Sequence, residues 1–159
     1  LFSLLAPAVI LFSFISFADK ANFSGEWKLN EAKSELGEFG NRVARSIKVD
    51  QKDADITIAS TRPGFNGGDP VTTTLTMSYD GKETESTGFG GSKRKTTVKW
   101  SDDGQTLTVS SSTLIERDGQ TSEIKSTETW TLIKGGGLSI VTFSSSPRGE
   151  STTKAVYDK

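Results

Sequence analysis

Cysteine and histidine are both missing from this chain, and methionine occurs once. Each absence removes chemistry. Without thiols there are no disulfides, no thiolate nucleophile and no thiolate metal site, and without imidazole there is no histidine-based triad and almost no zinc or copper centre. Two carboxylates would suffice for a glycosidase. However, no pair of acids stands apart from the turns and exposed strand faces except Glu128, and serine is too abundant for a Ser/Lys coincidence to carry information. The reading is therefore non-enzymatic, with no cofactor, since no acid, base or nucleophile converges. Charge is equally uninformative about large partners, because a formal net charge of -1 exerts no bulk pull on nucleic acid or anionic membrane.

Long apolar runs are also scarce after residue 18, and only 33% of the chain is hydrophobic. Residues 1 to 18 are uncharged and apolar, and Ser16-Phe17-Ala18 places small residues where a signal peptidase reads. This predicts a partial signal peptide over 1–18 rather than an uncleaved anchor, followed by one domain over 19–159 in a secreted or periplasmic monomer with no stable membrane anchor. A disulfide-free exported domain fits a bacterial source. A domain of about 140 residues buries roughly 68% of its unfolded surface, enough for one core.

What is abundant is threonine, serine and glycine, the composition of strands and tight turns. The stretch from Phe23 to Asn30 sets the pattern: Phe23, Gly25, Trp27 and Leu29 share one face and Ser24, Glu26, Lys28 and Asn30 the other. Glycine on the tryptophan's face leaves room for another group to approach. Further alternating segments are separated by Asp80-Gly81, Asp103-Gly104, Asp118-Gly119, Gly135-Gly136-Gly137 and Arg148-Gly149, all hairpin signals. Ten strands result, near 23–30, 43–50, 55–61, 71–79, 82–88, 93–101, 105–116, 121–133, 138–146 and 150–158. Pairing first with last would hide both edges of such a meander.

The Gly-x-Trp of the first strand, the helix-prone Glu31-Ala32-Lys33-Ser34-Glu35-Leu36-Gly37 after it, and the final Thr153-Lys154-Ala155-Val156-Tyr157-Asp158-Lys159 together resemble the calycin superfamily of lipocalins and fatty-acid-binding proteins. The resemblance implies an all-β fold: a closed up-and-down antiparallel barrel of about ten strands with a short helical insert after the first. It also implies binding of a small, largely apolar, lipid-like molecule in the lumen. On that reading Trp27 forms the floor, Trp100, Trp130 and Tyr157 an aromatic wall, Ile47, Leu75 and Met77 an apolar wall, and Arg45 with Glu128 the polar groups. Phe65 and Phe89 fall on mouth loops. Fatty-acid-binding proteins hold a carboxylate with an arginine two residues before the closing tyrosine and another on an earlier strand. Here those positions are Ala155 and Trp130, so an anionic ligand would need Arg45 or Arg94. Lipocalins cover the first-strand tryptophan with a basic side chain, for which Lys154 or Arg148 is available.

Several alternatives stay open at this level. Polar residues in inward rows, such as Arg45 and Glu128, either orient a ligand or lie at strand ends that reach solvent. The barrel could be filled by side chains and work as a structural or interaction module, or present the loop from Pro63 to Pro70 as an inhibitor. Gly88-Phe89-Gly90-Gly91-Ser92-Lys93 lacks the spacing and following helix of a phosphate loop. Lys93-Arg94-Lys95 lacks the aromatic interleaving of a single-strand nucleic-acid binder.

Overall fold

The computed structural model describes residues 19–88 and 91–159, so the expected signal segment and Phe89 lie outside the described residues. Ten strands follow one another: β1 (Gly25–Leu29), β2 (Ser46–Gln51), β3 (Asp55–Arg62), β4 (Val71–Ser78), β5 (Thr84–Thr87), β6 (Lys93–Trp100), β7 (Thr106–Arg117), β8 (Gln120–Ile133), β9 (Gly137–Ser146) and β10 (Gly149–Asp158). All neighbours are antiparallel, in the order β4-β3-β2-β1-β10-β9-β8-β7-β6-β5. First and last strands do meet, Lys28 opposite Asp158 and Leu29 opposite Tyr157. The chain then bonds β10 again through Asn30 and Glu35, whose N–H groups donate to Val156 O and Lys154 O.

The barrel is nearly closed rather than closed. Its two free edges are β4 and β5, consecutive in sequence, with no ladder between them. The expected Asp80-Gly81 hairpin is there an open connection. β5 consists of Thr84-Glu85-Ser86-Thr87 and offers no large apolar side chain to fix a register against β4. The expected short helical insert follows β1. It is two 3₁₀ turns, Glu31–Lys33 and Gly37–Arg42, and only the second reaches the lumen.

The interior has two halves in series. Toward one end Phe23, Trp27, Val49, Ile56, Val98, Leu107 and Leu138 fill the barrel, each almost wholly buried. Phe23, fully buried, stacks on Trp100 at 5.6 Å and meets Trp130 edge-on at 6.0 Å, so three rings plug this end. Gln51 anchors the plug's backbone, its Oε1 accepting from Phe23 N and its Nε2 donating to Ala21 O. Gly25 shows why the Gly-x-Trp spacing matters. Its φ of 132° suits glycine, and a Cβ there would stand 3.3 Å from Lys159 Cε. That lysine lays its ammonium 5.1 Å from the centre of the Trp27 ring. The basic cover over Trp27 is thus Lys159, neither Lys154, which pairs with Glu35, nor Arg148, which lies at the opposite end of the barrel.

Candidate functional site

The other half of the barrel is hollow. A cavity of about 680 Å³ runs from the plug to a mouth ringed by the Gly37–Arg42 turn and by the ends of β3, β4, β7, β8, β9 and β10. Alternation places Ile47, Ile58, Leu75, Met77, Val109, Trp130 and Ile140 around it as an apolar wall. Small Ala155, on the closing strand, keeps the space open beside Tyr157. The Tyr157 hydroxyl donates to Ala44 O at 3.0 Å, tying the closing strand to the segment that enters β2. Burial raises its pKa above the ordinary phenol value.

The polar groups come from β6, β7 and β8. Arg94 donates from Nη2 to Ser111 Oγ at 2.8 Å, and Thr96 lies 3.4 Å from the same oxygen. Its Nε is buried with no hydrogen-bond partner. Desolvation pulls its pKa down, Glu128 opposes that shift, and Arg62 adds to it, so the three charges share one field. Glu128 accepts from Trp130 Nε1 at 3.0 Å, which fixes the indole against the wall. A buried guanidinium donor without a partner is costly.

Of the nine side chains expected at the site, Ile47, Leu75, Met77, Glu128, Trp130 and Tyr157 line the cavity; Trp27, Arg45 and Trp100 do not. Trp27 and Trp100 belong to the packed end, Trp27 donating from Nε1 to Phe23 O at 2.8 Å. Lys20 lies over both the Trp100 and Tyr79 rings, at 5.5 and 5.1 Å. Arg45 points outward and pairs with Glu31. The cause is local: Arg45 donates its N–H to Thr61 O while Ser46 also stands opposite Thr61, two residues against one as in a β-bulge. The alternation slips there, so Ala44 turns inward and Arg45 outward. Phe65 is 78% exposed on the β3–β4 connection and is not part of the lining.

Sequence reasoning left out Phe39, Arg42, Arg62, Arg117 and Arg148, which all line the cavity. Their signal was available. In an up-and-down barrel alternate connections share one end, and Arg62, Arg117 and Arg148 flank the β3–β4, β7–β8 and β9–β10 connections. Among the described residues no three acidic side chains gather where a metal ion would need them.

No protein-family profile matches the chain, and no curated protein matches it in sequence. Among solved structures, the zebrafish ileal bile acid-binding protein complexed with cholic acid is similar. The TM-score is 0.53 at 22% identity, over 86% of this chain and 98% of that one. At that identity the likeness shows the fold alone, a nearly closed ten-stranded antiparallel barrel.

Proposed function

We propose that this protein binds a small, largely hydrophobic molecule reversibly in the mouth half of its barrel, without transforming it. The observation that carries this reading is the cavity itself. Its volume of about 680 Å³ lies within the range of small-molecule sites, and it combines an apolar wall with a few placed polar groups. A barrel working only through its outer surface would have its lumen filled at both ends, and here side chains fill one end alone. The zebrafish neighbour, crystallised with cholic acid, supports a lumenal ligand of this kind. Sequence adds an exported location to the proposal, through the apolar segment 1–18.

Trp130 borders the cavity, so its fluorescence reports occupancy. Titration with a fatty acid, a retinoid and a sterol should give saturable quenching with at least one, and Trp130→Phe should remove most of the signal. Absence of any saturable response in protein whose near-UV circular dichroism shows native packing would overturn the carrier reading.

A further inference from the structure

The chain contains six arginines and thirteen lysines. Five of the six arginines, Arg42, Arg62, Arg94, Arg117 and Arg148, line the cavity, and none of the lysines does. Only two carboxylates, Glu128 and Glu150, share that lining, which leaves a formal excess of three positive charges inside a protein whose total is -1. None of the five arginines forms an ion pair with a described residue; Arg45, the sixth, is the one that does. The lysines, by contrast, hold most of the surface pairs.

This partition has a chemical meaning. Guanidinium is planar, presents a fork of donors that matches carboxylate and phosphate oxygens, and is less strongly hydrated than ammonium. Arg94 reaches in from the start of β6 with its Nε unpartnered, while Arg117 and Arg148 stand exposed at the β7–β8 and β9–β10 connections. One monoanionic carboxylate needs one such fork. Several forks around one mouth, only partly compensated by Glu128 and Glu150, match a head group with more charge and more oxygens.

Building on the carrier reading, we infer that the ligand is an amphiphile whose apolar body occupies the lumen and whose head, at the mouth, carries two or more negative charges, as a phosphate monoester does. The apolar body meets Leu75, Met77 and Ile140, and the head oxygens meet the arginines. The apolar wall of the cavity focuses the field of the arginines onto the mouth.

The test compares three probes with one chain length: dodecyl phosphate, dodecanoate and dodecanol, by isothermal titration calorimetry and Trp130 quenching. Dodecyl phosphate should bind at least about fivefold more tightly than dodecanoate, since each extra charge-assisted hydrogen bond adds affinity. That advantage should shrink between about 0.01 M and 1 M salt, where the Debye length falls from about 30 to about 3 Å. Substituting Arg117→Gln with Arg148→Gln, both exposed, should reduce the phosphate-to-dodecanol affinity ratio. Lys28→Gln with Lys134→Gln removes the same charge away from the cavity and should leave the ratio as it was. Binding of dodecanol or dodecanoate with no preference for phosphate overturns this inference and leaves the carrier reading standing. Failure of all three probes to bind overturns this inference, and the carrier reading falls with it only where the fatty acid, retinoid and sterol also give no saturable response.

Discussion

Phe23→Ala tests whether the packed end of the barrel rests on one ring. Phe23 lies just before β1, is fully buried, and touches two tryptophans, stacked on Trp100 with rings 13° apart and edge-on to Trp130 at 80°. Removing a buried phenylalanine costs about 3–5 kcal/mol through lost transfer energy and the cavity left behind. Each aromatic pair adds about 0.5–1.5 kcal/mol beyond area. The upper part of the range, about 4–5 kcal/mol, is therefore expected, because β1 and the β6–β7 turn are held by backbone ladders and cannot collapse into the hole. With a urea slope of about 2 kcal/mol/M, the midpoint should fall by about 2 M. Phe23→Leu keeps most of the volume and should cost less, about 1–2 kcal/mol. Near-UV circular dichroism should weaken in the alanine variant, since the indoles of Trp100 and Trp130 lose their shared neighbour. A cost below about 1 kcal/mol for the alanine variant would refute the plug.

Tyr157→Phe leaves the Ala44 carbonyl without its side-chain donor and should cost about 1–3 kcal/mol, read as a lowered urea midpoint; an unchanged midpoint would mean water replaces the hydroxyl. Both tyrosines of the chain should resist ionisation while the protein is folded, Tyr79 because burial pushes it up to about 12 and Tyr157 because burial raises it too. Their raised values contribute stability that is complete below the unfolded phenol pKa of about 10 and is lost as pH rises above it. Tyrosinate absorbance in native buffer should therefore rise later than in urea, and coincident titrations would refute the burial. Asp158 runs the other way: the hydrogen bond from Asn30 and then Lys33 lower its pKa, so its contribution is present above the unfolded value of about 3.9 and is lost as pH falls below it. Asp158→Asn should flatten the acid limb of the stability curve, and an acid limb identical to that of the wild type would count against the pairing.

Alternation was enough to read all ten strands within a few residues, because a half-buried strand must place apolar groups at every second position. It gave Trp130, Ile47 and Met77 their inward direction for the same reason. It failed where the backbone itself breaks period. At Arg45 two residues face Thr61, and nothing in Val43-Ala44-Arg45-Ser46 announces the extra one. Closure was legible only in part. The β1–β10 pairing follows from the need to hide edges, but the open seam lies between β4 and β5, whose Asp80-Gly81 turn looks like Asp103-Gly104 and Asp118-Gly119, which do join paired strands. What distinguishes it is the small, polar side chains of β5, a register effect that emerges only when both strands are compared.

Depth along the barrel axis was the coordinate that sequence did not supply. Trp27, Trp100 and Trp130 all occupy strands and all are apolar-faced, yet only Trp130 borders the cavity. Period two tells inside from outside, and it does not tell one end from the other. Turn parity does: connections β3–β4, β5–β6, β7–β8 and β9–β10 share an end, and arginine recurs beside each of them, at Arg62, Arg94, Arg117 and Arg148. Lys20, Lys159 and the stacked Phe23 and Trp100 rings mark the other end. With Ala155 in the closing strand, no guanidinium comes from that wall, and the positive groups face the cavity from β6 and from the mouth instead. An anionic head would therefore sit at the entrance with its apolar body directed inward toward Met77 and Trp130, the orientation that lets charge stay hydrated while the chain is buried.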